Sequence, residues 1–380
     1  MNRWLATFCL VLVLVGSGVA DEWPIFRLRV RPQSLATTTF AIRGTVVLPA
    51  HHPPLRLLTQ EGQEYGLPEV LPADLREFSL AGTSRVDHPR CQATGDEIYC
   101  LTRVGLQPEL EVPAALYEVD FELPDGYAAL ISDPTVPQSQ GLVFQVARLA
   151  PPFARGRFQF VFPLDFDYEP KYLDWIVDST SWLEERFGPL GLETIKVGAI
   201  GRGGNTQISG TPSGNLILYS RTALGAAVDH RALGPESGPE LVEPLRRLVI
   251  AHEISHFWFG LRYLGHDGWM VEGIPQYLAW RVVAEEFPIQ APVLLAFFER
   301  MARANSKPVA HATLEENPLG AYYQGPLVLH QLGEAVGHGE LIQMLQAVYK
   351  AHNDPTFEDF EREFQTRFPA NSRLWAQQWG

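Results

Sequence analysis

Cysteine is scarce in this chain, with 3 in 380 residues, and that scarcity excludes a disulfide-stapled miniature scaffold or a cysteine-rich metal module. Cys9 falls in the first twenty residues, and nothing around it resembles a lipid-attachment signal. Cys91 and Cys100 remain, flanking the polar turn "QATGDEIY", and His88 is the one histidine near them. A disulfide closing this small loop in an oxidising compartment is the expected arrangement. Positive charge is also in deficit. Lys and Arg total 30 against 44 Asp and Glu, a formal net charge of −14, which argues against nucleic acid as a partner. Beyond residue 20 no run is long and apolar enough to supply the roughly 20 residues of a membrane span. Internal repeats and low-complexity tracts are absent.

The opening twenty residues do carry an apolar run. Arg3 precedes Trp4 to Val15, and the small residues Gly18-Val19-Ala20 end the run before Asp21. This is the layout of a secretory signal peptide, so residues 1–20 are expected to be a leader. The protein is then exported, periplasmic or extracellular, and meets a membrane only if the leader stays uncleaved.

From 21 to 152 the dominant pattern is alternation. "FRLRVR" (26–31) and "YEVDFEL" (117–123) switch apolar and polar residues with a period of two, the mark of half-buried antiparallel strands. An all-β first domain, a sandwich or a curved sheet, is expected, with Pro151-Pro152 at its boundary. The period then changes. Apolar residues at 173, 176, 177, 180, 183 and 187, with Pro170 before them and Gly188 after, spell a helix. The strands "TIKVGAI" (194–200) and "LILYS" (216–220) bracket a Gly/Ser/Thr/Asn-rich segment, and from 240 onward the pattern is helical. An α+β second domain over 153–380 follows.

In "LVIAHEISHFWFG" (248–260) two histidines stand four apart. Val242, Leu245, Val249, His252 and His256 form one helical stripe, so both imidazoles leave the same face one turn apart, where they can hold one zinc ion. The alternative is a buried helix carrying two satisfied histidines. Glu253 lies about 100° round the helix, too far to ligate yet near enough to take a proton from an activated water. Glu272, in "GHDGWMVEGIPQYLAW", is the leading third ligand. Pro275 places a helix start near Met270, and an antiparallel helix pair would return Glu272 over the histidines. His266 and Asp267, in the connecting loop, are its rivals. Three protein ligands leave a fourth position open, the pattern of catalytic zinc.

"HEISHFWFG" followed by "WMVEG" resembles the HExxHxWFG…WLNEG signature of the membrane-alanyl-aminopeptidase family of gluzincins. The resemblance implies one zinc per chain on His252, His256 and Glu272, with Glu253 as general base, in a thermolysin-like zincin domain acting on a peptide or protein. "YYQGPLVLHQL" (322–332) resembles the family's Tyr-x-Lys-Gly segment, which implies Tyr322 as the oxyanion-stabilising tyrosine, with Tyr323 as the alternative. There are departures too. The interval from His256 to Glu272 is shorter than the family's, Gln324 replaces the lysine, and the family's C-terminal helical domain has no counterpart. The family's Gly-x-Met-Glu-Asn strand offers a glutamate to the substrate's amino group. Here "GRGGN" (201–205) or "SGTPSG" (209–214) stands in that region, and no glutamate occurs from 194 to 235. Asn205, Thr206 and Ser209 are the candidate substrate contacts, acting by strand addition. Two other readings compete: a glycyl-aminopeptidase-type relative, and a non-catalytic protein that holds zinc and binds peptides.

Overall fold

The computed structural model describes residues 23–50, 52, 54–58, 63–64, 70–86, 91–101, 109–110, 115–138, 142–201, 209–226, 238–259, 267–305, 307, 309–314, 316–352 and 355–379. The expected leader therefore lies outside the described residues. Among those described, no helix is long and apolar enough to cross a membrane.

Every described element before residue 150 is a strand. Ile25–Pro32 alternates buried and exposed side chains along its length, as its sequence pattern requires. It pairs parallel to Leu116–Phe121, with Leu28 opposite Val119, and antiparallel to Thr39–Val47, with Val30 opposite Ile42. Glu77–Arg85 and Gln63–Glu64 complete this five-stranded sheet. A second sheet runs Ala128–Ile131, Phe144–Ala147, Glu97–Cys100, Cys91–Ala93. Phe26, Phe40 and Leu80 of the first sheet share one buried cluster with Ile98, Phe144 and Val146 of the second, so the two form a sandwich. Cys91 and Cys100 are register partners on adjacent strands and are disulfide-bonded.

The second half begins with a mixed sheet in the order Phe153–Arg155, Phe158–Phe160, Ile195–Ile200, Leu216–Ser220, Gly210–Ser213. Its three middle strands are parallel, and Gly210–Ser213 is an antiparallel edge. Leu216–Ser220 is buried at every position, as a strand covered on both faces must be. The helices are α1 (Pro170–Phe187), the single turn α2 (Arg221–Leu224), α3 (Val242–Ser255), α4 (Ile274–Glu286), α5 (Ala291–Arg303), α6 (Gly325–Val336), α7 (His338–Ala351), α8 (Phe357–Arg367) and α9 (Ser372–Trp379). Pro170 opens α1, and Gly188 closes it at φ 89°, a conformation that glycine adopts without strain. Sheets towards the N-terminus and helices towards the C-terminus make the chain α+β.

The halves are joined by a polar lock over an apolar seam. Tyr99, Leu101, Leu130 and Val143 pack on Ile200, Leu216 and Leu218. Gln145 Nε2 donates to Ala199 O (2.6 Å) and to Glu97 Oε1 (2.8 Å). Asn215 is 1% exposed. Its Oδ1 accepts from Ser132 Oγ and Asp133 N, both at 2.8 Å, while Nδ2 donates to Asp133 Oδ2 (2.5 Å) and Thr194 O (2.9 Å). Removing this amide orphans several buried groups, each worth about 1–3 kcal/mol. Asn215→Ala should therefore lower unfolding stability by about 2–4 kcal/mol, read as a fall in the urea midpoint. An unchanged midpoint would show that the lock contributes nothing.

Candidate metal centre

The 3₁₀ turn Pro239–Leu241 leads into α3, which buries Leu248, Ile250, Ala251 and Ile254 against the sheet and α1. His256 follows the last α3 residue, and its N–H still bonds His252 O at 3.3 Å, so both histidines stay on one helical stripe. Their rings lie 4.6 Å apart at 87°.

Glu272 reaches them from a π-turn, Trp269–Gly273, immediately before α4. The turn closes with Ile274 N–H on Trp269 O, a five-residue step, and Pro275 follows. Proline has no N–H to continue the ladder, so the wider loop ends where the donor runs out. A second π-turn, Gly320–Gln324, repeats the device: Gly325 N–H closes on Gly320 O, and Pro326 follows. The two turns lie against each other through small residues. A Cβ on Gly268 would come 2.9 Å from Ala321 Cβ, and one on Gly325 would come 2.9 Å from Trp269 Cβ. Trp269 is fully buried, with Trp379 at 4.3 Å and Phe360 at 5.2 Å between ring centroids. The helix expected to start near Met270 does begin there, at Trp269, with a first turn that is π rather than α.

At the centre, His252 Nε2 lies 3.1 Å from Glu272 Oε2, His256 Nε2 lies 3.3 Å from the same oxygen, and the two Nε2 atoms are 3.0 Å apart. All three residues are buried. Burial opposes ionisation of Glu272, yet the charge of His256 and bonds from both imidazoles hold the carboxyl well below the usual range. Burial likewise opposes protonation of His256, and Glu272, with help from Glu253, overcomes it and raises the imidazole. Three electron-rich atoms converging on one point need a cation among them, a proton or a metal. A tetrahedral zinc with bonds of about 2.0–2.1 Å spaces its ligand atoms about 3.4 Å apart, close to the separations found here. The donor set suits zinc, and His252, His256 and Glu272 are the residues that could hold it. His252 Nδ1 is buried with no hydrogen-bond partner among the described residues.

Glu253, also buried, lies against the edge strand Gly210–Ser213: a Cβ on Gly210 would come within 2.5 Å of its Cγ. Tyr219, whose hydroxyl donates to Ile250 O at 3.1 Å, is pushed up by burial and by the charge of Glu253. Neither Gly210 nor Tyr219 was singled out by the sequence. No local sequence pattern signals either, because both are brought to the helix by the packing of the strand in the finished fold. Tyr322 turns towards His252, with ring centroids 6.1 Å apart. Tyr323 turns away, onto Phe297 and Phe298 of α5. Asp267 accepts from His311 N (3.0 Å) and Trp269 Nε1 (3.3 Å), and it is not among the residues that converge with the histidines. His266, Asn205 and Thr206 lie outside the described residues. Ser209 is half-buried, and its N–H and carbonyl are taken by Ser220 Oγ and Ser220 N.

No protein-family model and no curated protein sequence matches the chain. Solved structures do. A mutant of an M1 zinc metallopeptidase from Deinococcus radiodurans superposes with a TM-score of 0.65 at 17% identity, over 94% of this chain and 95% of that one. A mutant from the same organism bound to a Tyr-Ser-Ala substrate gives 0.63 at 17% identity, over 93% of both chains. Legionella pneumophila aminopeptidase A in complex with aspartic acid gives 0.64 at 15% identity, over 94% of this chain and 49% of that one. The likeness is one of fold: this chain has the two-part α+β architecture of those metallopeptidases.

If the three converging residues hold a metal, Glu272→Ala should lower bound zinc to a small fraction of one per chain by elemental analysis. Asp267→Ala should leave the content unchanged. Full occupancy in the Glu272 variant would remove it from the ligand set.

Proposed function

We propose that the protein is a zinc-dependent peptidase of the aminopeptidase-like gluzincin type. Residues 21–152 form its β-rich domain and 153–380 a thermolysin-like catalytic domain. The observation that carries this reading is the convergence of His252, His256 and Glu272, with Glu253 one residue from a ligand and Tyr322 across from it. The fold shared with M1 metallopeptidases supports it. A bound zinc supplies Lewis acidity, making water nucleophilic near neutral pH and polarising a carbonyl. Glu253, pinned between α3 and Gly210, accepts the proton of the attacking water and passes it to the leaving amine. The Tyr322 hydroxyl donates to the carbonyl oxygen as negative charge develops there. A protein that merely held zinc would have no use for a buried carboxylate in Glu253's position. The proposed substrate is a peptide or protein, met in an exported compartment with which the Cys91–Cys100 disulfide is compatible.

The edge strand Gly210–Ser213 supports a departure from aminopeptidase specificity. It borders Glu253, yet neither it nor any residue from 194 to 235 is a glutamate. Glu240 is exposed twelve residues before His252, about 18 Å up the helix, and its carboxylate turns back on Gly238. A substrate ammonium desolvated here without a carboxylate partner would cost several kcal/mol. Backbone pairing along the edge imposes no such demand for a terminus. The enzyme should therefore prefer internal or N-blocked bonds to aminoacyl reporters.

Glu253→Gln should keep zinc and fold while kcat falls about 10²–10⁴-fold, since an amide cannot accept the water's proton. Tyr322→Phe should lower kcat about 10²–10³-fold with little change in KM, and Tyr323→Phe should leave both unchanged. Damage from the Tyr323 change alone would reverse their roles. For specificity, one peptide assayed with a free and an acetylated N-terminus should be cut at least as well when blocked. A strong preference for the free amine would refute the reading of the edge.

A further inference from the structure

A second cluster lies away from this centre, at the α6–α7 corner. His330 and Glu334 share a stripe on α6, four residues apart, and His338 opens α7 four residues later, across Gly337 at φ 94°. One potential ligand atom from each lies within 4.8 Å of the others. His338 Nε2 meets Glu334 Oε1 at 2.8 Å, while its Nδ1 contacts the Tyr277 hydroxyl at 3.0 Å. The tyrosine thus fixes the imidazole from behind, as the outer partner of a metal-ligating histidine commonly does. The His330 and His338 rings stack 5.3 Å apart, and Trp280 packs on His330 at 4.6 Å. His330 Nδ1 is buried with no partner among the described residues.

We propose that His330, Glu334 and His338 form a second metal site, specific for a late divalent transition metal such as zinc. Two imidazoles and one carboxylate are a donor set that selects such ions over magnesium or calcium. Burial, together with His338 and Arg281, holds His330 below its usual range, and burial and Arg281 do the same for His338 against Glu334. The charged groups acting on the cluster are Glu334 and Glu299 against Arg281, and the groove beside it also carries Arg186 with Glu185 and Glu285, so carboxylates outnumber cations among the described residues there. A groove of about 440 Å³ lined by Arg281, His338, Gly339 and Ile342 gives an ion and its waters access. The site joins the end of α6 to the start of α7 and, through Tyr277, to α4. It lies eight residues, roughly 12 Å, along the chain from Tyr322, so the ion acts as a clamp on the helices rather than in the chemistry.

Tag-free full-length protein, dialysed to equilibrium against micromolar Zn²⁺ and analysed for metal, tests this. Wild type should bind two zinc ions per chain. Glu334→Gln, an exposed change that leaves the helix intact by circular dichroism, and His330→Ala should each weaken the second equivalent at least tenfold. Glu272→Ala should keep one equivalent, the one removed by adding His330→Ala. The melting temperature should rise with the second equivalent in wild type and not in Glu334→Gln. A single equivalent in wild type, or a second one that survives both Glu334→Gln and His330→Ala, would overturn the site.

Discussion

Two imidazole nitrogens and a carboxylate oxygen meet within 3.3 Å in a pocket of the fold that is almost closed to water. Such a convergence of lone pairs does not form by itself. Each group loses hydration, and without a cation among them their mutual repulsion is undiluted by solvent. The surroundings must therefore hold the three side chains by packing, and they do so from two directions. α3 sets the histidines rigidly on one stripe. The opposing wall, which carries Glu272, is fixed by the buried Trp269 wedged among Phe360, Trp375 and Trp379 of the last two helices. The carboxylate at the site thus depends on aromatic residues about a hundred positions later in the chain.

The paired π-turns give that wall its shape. In each, a proline follows the closing five-residue hydrogen bond, and glycine or alanine lets the other turn approach. An ordinary helix would have needed N–H donors that Pro275 and Pro326 lack. One turn aims Glu272 at the histidines, and the other separates Tyr322 from Tyr323, sending the first towards His252 and the second into the α5 contact. The register of two adjacent tyrosines is decided by a backbone device that neither side chain reveals.

How much of this could be read beforehand follows from the range of each interaction. The His252–His256 stripe, the strand alternation of Ile25–Pro32 and the ends of α1 at Pro170 and Gly188 depend on neighbours a few residues apart, and the sequence displays them. The Cys91–Cys100 pairing was legible for the same reason. Glu272 as the partner of the histidines follows from a short loop and a proline, and the fold brings its carboxylate to both imidazoles. Pro275 marks the helix start near Met270 but is equally compatible with an α or a π first turn, and no residue pattern marks the second π-turn at Gly320–Gln324. Gly210 under Glu253, and Asn215 binding Ser132 and Asp133 from more than 80 residues away, were invisible. No local pattern marks a contact that only the finished fold creates.

Those long-range contacts give the β half its part in the site. The edge strand Gly210–Ser213 turns into Leu216–Ser220 through Gly214 and Asn215. Gly214, at φ 58°, is gripped so closely by Ser132 and Gln138 that no side chain would fit. Asn215 is bonded to Ser132 and Asp133, and Ser213 Oγ donates to Gln138 Oε1 at 3.4 Å. The sandwich domain therefore holds one end of this hairpin, while the other end, at Gly210, abuts Glu253. Four strand residues span about 13 Å, too short and too well paired to absorb a displacement. Any shift of the first domain against the second must then move the edge along which an extended chain would lie. Pro212 fits the same geometry, since in mid-strand its missing N–H is tolerated on the side where no described strand pairs with it. The edge is left with fewer donors than a regular strand and no acidic group, so under the proposed function its position, set from the first half of the chain, would be its main means of discriminating among substrates.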